Sequence, residues 1–113
     1  MTNNRQKGKR IEREFATILR EFFPDIRRNA GSQSQSGGRD LENTGEFAFE
    51  IKGGKKYKSK MIRDILDQTI SEKGDKKYAV ALVKPEREDT YALIPLEDFL
   101  LLLKSILDLD SIK

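Results

Sequence analysis

Between Phe47 and Lys52 apolar and polar residues alternate one for one, and Gly53-Gly54 follow at once. An extended segment with one covered face satisfies a period of two, so this stretch reads as a strand. Phe47, Phe49 and Ile51 point to one face, and Ala48, Glu50 and Lys52 to the other. Glu50 and Lys52 then stand side by side, roughly 7 Å apart along the strand. The preceding Glu42-Asn43-Thr44-Gly45 has the composition of a turn, which predicts an antiparallel partner strand starting at Arg39-Asp40-Leu41. If Asp40 lies opposite, two carboxylates and an ammonium group converge at one spot.

The N-terminal segment has a different period. Ile11, Phe15, Ile18, Leu19 and Phe22 recur at helical spacing, which predicts a helix from Lys7 or Gly8 to about Phe23, ahead of Pro24. With Ile11 at zero and a turn of roughly 100° per residue, these five fall in an arc from about 340° to about 80°, and Glu12 falls near 100°. Arg13, Glu14, Arg20 and Glu21 fall away from that arc, so Glu12 alone among the helix's acids faces inward. An inward carboxylate costs several kcal/mol unless it is paired or bound to a cation. An ion pair with an Arg or Lys at the rim of the core and a bound metal ion both meet that need.

Asp25 to Arg28 reads as a short strand, and Asn29 to Gly38, rich in Gly, Ser and Gln, as a loop. A loop this long between core strands of a small domain is more often functional than idle. Lys58 to Lys73 carries Met61, Ile62, Ile65, Leu66 and Ile70 at helical spacing. Tyr78 to Val83 is a near-continuous apolar run, expected as a strand buried on both faces. Asp89 to Ile94 reads as a further strand, and Pro95 opens a final helix with acids in its first turn. That helix is apolar almost all round, which predicts cover on more than one face, from the core or from a second subunit. At 113 residues the chain is expected to be one α/β domain over 1–113, with residues 1–7 as a basic arm.

Charge distribution says more than its total. There are 22 Lys and Arg against 19 Asp and Glu, a net +3. Met1 to Arg10 holds four basic residues and no acid, and the stretch after Glu50 up to Asp64 holds six, again with no acid. Such clustering suits one face to phosphate neutralisation; a solubilising surface is the plainer reading. Cysteine and histidine are absent, which excludes a disulfide framework, a thiol nucleophile, a His general base and a Cys/His zinc site. A metal would need oxygen ligands, which favours Mg²⁺ or Mn²⁺. No apolar signal core is present at the N-terminus, and Phe99 to Leu103 is too short to span a bilayer. The expectation is an intracellular, cytoplasmic protein with no membrane partner.

Phosphodiester hydrolysis needs a nucleophilic water, neutralisation of transition-state charge and help for the leaving oxygen. Asp40, nine intervening residues and then Glu50-Ile51-Lys52 hold that chemistry in a hairpin. Taken with Lys7-Gly8-Lys9-Arg10-Ile11-Glu12-Arg13-Glu14, Arg28-Asn29-Ala30-Gly31-Ser32 and Gly38-Arg39-Asp40, the chain resembles the PD-(D/E)XK nuclease superfamily. Within it, the chain is similar to the Holliday-junction-resolvase-like enzymes of archaea and phages, over most of its length.

The resemblance implies that Asp40 and Glu50 ligate Mg²⁺ directly, with the backbone carbonyl of Ile51 as a third ligand. It gives Glu12 the metal's water shell or a second ion, and gives Lys52 the nucleophilic water. Ser32 and Arg28 would lie near the scissile phosphate, and Lys7, Lys9, Arg10, Arg39, Lys55, Lys56 and Lys58 are the candidate DNA-binding residues. Two departures stand out: Arg39 replaces the Pro for which the superfamily is named, and the loop from Gly31 to Gly38 is longer, which leaves Ser32, Ser34 and Ser36 all in play. Gln68 resembles a glutamine of several branches, although a surface Gln is the better explanation.

The implied fold is a restriction-endonuclease-like α/β sandwich, a central mixed sheet with helices on both faces. The implied activity is Mg²⁺-dependent cleavage of branched DNA, a four-way junction first, by a homodimer, in the host cytoplasm if the protein is phage-encoded. A flap-, end- or single-strand-directed nuclease and a catalytically silent DNA-binding module are the alternatives.

Overall fold

The computed structural model describes residues 4–29 and 40–107, with side chains from Gly8 onward. Ser32, Ser34, Ser36 and Arg39 lie outside the described residues, as does the side chain of Lys7. The described chain is a small α/β structure with three helices and two antiparallel two-stranded sheets. It divides into two compact units, Met1–Lys58 and Ser59–Lys113. The strand pairings among the described residues are one antiparallel pair in each unit.

The first unit opens with α1, Asn4–Leu19. It starts before the expected Lys7 and stops short of Phe23. Beyond Leu19 the chain tightens into a turn, with the N–H groups of Phe22 and Phe23 both donating to the Leu19 carbonyl. Two adjacent aromatic rings, Phe22 and Phe23, thereby enter the core together, which a continued helix would have separated by roughly 100°. Ile11 and Phe15 are half-buried, Ala16 and Leu19 are buried, and Ile18 is exposed. On the same wheel these covered residues run from zero to about 140°. The buried face is thus rotated from the one expected, and Glu12 lies well inside it.

Strand β1, Arg27–Arg28, pairs with β2, Leu41–Glu42, with Arg28 opposite Leu41. Ile26 and Leu41 are buried beside Leu19, Phe22 and Phe23 in the composition of this unit's core. The turn at residues 43–46 forms as expected, with Asn43 at φ 65° and Gly45 at φ 60°. The returning segment 47–52 is assigned to no strand; the N–H of Asp40, just ahead of β2, donates to the Phe49 carbonyl. Its alternation nonetheless holds: Phe47, Phe49 and Ile51 are half-buried, while Ala48, Glu50 and Lys52 are exposed. Phe23 meets Phe47 and Phe49 at centroid distances of 6.0 and 6.2 Å, an aromatic cluster that anchors the apolar side of the segment.

In the second unit α2, Lys60–Glu72, is capped by the Ser59 hydroxyl, which accepts from the Ile62 N–H at 3.2 Å. Strands β3, Ala81–Val83, and β4, Tyr91–Leu93, pair antiparallel, with Leu82 opposite Ala92. The run from Tyr78 to Val83 is not covered on both faces. Ala79 and Ala81 are buried, whereas Leu82 is 76% exposed. Small residues on the inner side and large ones on the outer disguise an alternating strand as a continuous apolar one.

Helix α3, Leu96–Leu107, buries Leu103 fully but leaves Leu101 and Ile106 exposed, so its all-round apolar character is only partly covered. The Asp98 carboxylate near its start is buried and accepts the Ala79 N–H at 2.8 Å, with Lys73 Nζ 3.5 Å away. This satisfies a charge that would otherwise oppose folding. No helix among the described residues is long and apolar enough to cross a membrane.

Candidate active site

Asp40 immediately precedes β2 and is held at three points. Its carbonyl accepts from the Asn29 N–H at 3.0 Å, its N–H donates to the Phe49 carbonyl at 3.3 Å, and its Oδ2 accepts from the Ile51 N–H at 2.6 Å. The residue therefore bridges the end of β1 and the segment 47–52. A carboxylate accepting a backbone N–H forms a charge-assisted bond, stronger than one between neutral groups. It fixes the Asp40 side chain against the middle residue of Glu50-Ile51-Lys52.

Burial of Phe49 and Ile51 turns Glu50 and Lys52 outward, and their side chains pair, with Lys52 Nζ 3.0 Å from Glu50 Oε2. The hydrogen bond that the Lys52 ammonium donates to Glu50 is the main reason that its pKa is held above the ordinary lysine value. The charges of Glu50, Tyr57 and Asp40 add to it. Asp40 is thus bonded to the Ile51 backbone, and Glu50 and Lys52 are ion-paired with each other.

Glu12 reaches a different partner. The Arg28 Nε donates to its Oε1 at 2.9 Å, and both side chains are less than one-fifth exposed. Of the two ways to satisfy an inward carboxylate, the ion pair is the one observed, and Arg28, expected near a phosphate, supplies it. Among the described residues no group of three or more acids is placed to hold a metal ion, so Glu12, Asp40 and Glu50 do not gather into one cluster. Each of the two glutamates is neutralised by a cationic side chain.

Between α1 and the segment after Glu50 lies a cavity of about 510 Å³, bordered by Ile11, Glu12, Ile51, Lys52, Lys55 and Tyr57 among others. On its border Gly53 passes close to Ile11 of α1. A Cβ on Gly53 would meet Ile11 Cδ1 at 2.6 Å. Gly54, at φ 106°, then turns the chain into a 3-10 turn, Lys55–Tyr57, closed by the Tyr57 N–H on the Gly54 carbonyl at 3.0 Å. Glu12 and Lys52 share this cavity although their ion-pair partners differ.

The candidate DNA-binding residues divide. Lys55 and Lys56 border the cavity, Lys58 and Arg10 are exposed, and Lys9 is half-buried. Gln68 spends its amide on Glu72, one turn along α2, at 3.2 Å, which matches the plain surface reading. Tyr57 was not singled out from the sequence. Its signal is there, an aromatic residue among Lys55, Lys56 and Lys58 directly after two glycines.

Asp40 and Glu50 offer carboxylate oxygens, the donors that a hard divalent cation takes. Mg²⁺ commonly keeps several waters and binds through one or two carboxylates. The two carboxylates suit such an ion in chemical type, although Asp40 Oδ2 already accepts the Ile51 N–H and Glu50 Oε2 pairs with Lys52. In comparisons with known proteins, the chain matches no family model, no curated protein and no solved structure.

Proposed function

We propose that the chain is a metal-dependent endodeoxyribonuclease of the PD-(D/E)XK type, with the restriction-endonuclease-like arrangement as its architecture and branched DNA, a four-way junction first, as its substrate. The observation that carries this reading is the 2.6 Å bond from the Ile51 N–H to Asp40 Oδ2, which ties one carboxylate to the backbone between Glu50 and Lys52. Asp40 and Glu50 would hold Mg²⁺, or Mn²⁺ in its place. Bound there, the ion would supply an activated water and neutralise charge on the phosphate.

The protein's own part is positional and electrostatic. Asp40 is fixed by its three hydrogen bonds and needs little reorganisation on binding, whereas Glu50 would exchange its contact with Lys52 for the ion. Lys52 places positive charge beside the reacting phosphate and orients the attacking water rather than taking its proton. The water oxygen forms a bond to phosphorus as the opposite P–O bond breaks; the attacking water gives its proton to bulk solvent, and the departing oxygen takes one from solvent water. Glu12, secured by Arg28, shapes the neighbouring cavity wall. Two strands of a junction must be cut, so a two-fold dimer is the working form; the exposed Leu101 and Ile106 on α3 are its candidate contact.

The test is cleavage of a labelled four-way junction, a flap and a linear duplex, with Mg²⁺ and with chelator, by the parent and by Asp40→Asn. The parent should cut the junction best and only with metal, and Asp40→Asn should lose at least about 10²-fold in rate. Activity surviving in Asp40→Asn would reject the site.

A second reading is favoured by the neutralisation of Glu12 by Arg28 and of Glu50 by Lys52. It makes the chain a DNA-binding module without catalysis, and predicts salt-sensitive binding with no cleavage in either metal.

A further inference from the structure

We propose that the cavity between α1 and the Lys55–Tyr57 turn is a single-strand binding site, in which an unpaired base stacks on the Tyr57 ring while Lys55 and Lys56 take the flanking phosphates. The inference deepens the nuclease reading by naming what lies beside the cleavage centre, and it rests on the DNA-binding part of that reading.

Size comes first. At about 510 Å³ the cavity falls within the usual range for sites that take a small organic group. Its wall is chemically uneven in the way a nucleotide requires. Ile11 and the glycines Gly8, Gly53 and Gly54 give an apolar, low-relief side, and a Cβ on Gly8 would meet nothing within 4 Å. Three lysines, one aromatic ring, Ile51 and Glu12, whose charge Arg28 neutralises, supply the rest.

The ring is presented, not packed away. Tyr57 is 47% exposed, and no core residue forms a ring contact with it among those described. A large aromatic side chain left half in water beside cations is the pattern of a stacking platform, since every base offers a π-face and the backbone phosphates follow the charge. Lys56 Nζ lies 5.8 Å from the ring centroid, where a cation and a stacked base can both use the π-system.

The presentation is built into the backbone. Gly54 at φ 106° adopts a conformation that other residues rarely reach, and the turn is closed by the bonds from Tyr57 N–H to Gly54 and from Lys58 N–H to Lys55. Tyr57 is therefore set in place before any ligand arrives. A base inside a duplex is already stacked on both faces and has no π-face to offer. The site should therefore select unpaired nucleotides, such as those at the exchange point of a branch, over paired ones.

The test is fluorescence anisotropy in excess chelator, which removes cleavage from the readout. Three labelled probes of equal length are used: a mixed-sequence single strand, its blunt duplex, and an abasic oligomer with the same phosphates and no bases. Tyr57→Leu should raise Kd for the single strand at least about five-fold, the lower end for one stacked base. It should leave the duplex and the abasic oligomer within about two-fold of the parent. Tyr57→Phe, which keeps the ring, should bind the single strand as the parent does.

Unchanged single-strand binding by Tyr57→Leu would overturn the inference, and so would equal weakening of all three probes. The Tyr57-dependent difference should persist in Asp40→Asn. If junction cleavage fails while that difference remains, only the catalytic reading is lost.

Discussion

Lys52 shows how one contact sets the role of a residue. Its ammonium sits in water on the exposed side of the 47–52 segment, 3.0 Å from Glu50 Oε2, and that hydrogen bond raises its value above the ordinary one. A raised lysine value contributes stability that is present through acid and neutral pH and lost as pH rises through the folded-state value. Because the group is exposed, its consequence is for charge rather than for folding. Lys52 should remain a cation throughout the neutral range, and its loss should matter only above the ordinary lysine value of about 10.4. Two outcomes follow for cleavage in Mg²⁺. Lys52→Met should slow single-turnover cleavage by roughly 10²- to 10³-fold, without weakening the apparent affinity for Mg²⁺, since it removes a competitor for Glu50. The parent's rate should show no rise that tracks loss of a lysine proton between pH 7 and about 10. A rate for Lys52→Met within a few-fold of the parent would remove the residue from the mechanism. At this scale the sequence was informative where geometry is local. Alternation put Glu50 and Lys52 on one exposed side, and the helical period turned Glu12 inward. The cation that meets Glu12 was not legible, because Arg28 comes from β1 and only the packing of α1 on that strand brings the two together.

The approach of α1 to the segment following Glu50 is a matter of elements, and it depends on a missing Cβ. Gly53 passes Ile11 so closely that an added methyl would meet Cδ1 at 2.6 Å and Cγ2 at 3.4 Å. The nearer atom is the end of a side chain, so Ile11 can yield at some cost in rotamer or position. Gly53→Ala should therefore destabilise the protein by about 1–3 kcal/mol in chemical denaturation. Ile11→Val deletes the Cδ1 atom, so Gly53→Ala should cost clearly less in that background, a coupling that a double-mutant cycle measures. Additive costs would show that the close approach is not the cause. The helices were legible as elements because their apolar periods span many residues. Their ends and facing were not: α1 closes at Leu19 because a tight turn buries Phe22 and Phe23 together. The strands were legible in period but not in partner. Segment 47–52 keeps its alternation while β2 pairs with β1, since pairing is decided by the tertiary structure and a period of two does not name the neighbour.

For the whole molecule, the net charge of +3 is too small to drive binding by itself, so the arrangement of charge must do so. Lys55 and Lys56 border the cavity beside Lys52 and form no ion pair among those of the described residues. Lys60, by contrast, lies 2.7 Å from Asp64 one turn along α2. A cation already held by a carboxylate contributes less to phosphate neutralisation than one that is not. Each phosphate contact on a single strand adds about 0.7 to the slope of log K against log salt concentration. Lys55→Ala with Lys56→Ala should thus flatten the slope for the single-stranded probe by roughly 1.4. Lys60→Ala should leave it nearly unchanged. If only total charge mattered, the single substitution would produce half the change of the double one. Anisotropy titrations of the three proteins across a salt series distinguish the cases. A slope change from Lys60→Ala at half that of the double variant would assign DNA binding to bulk charge and not to the cationic border of the cavity.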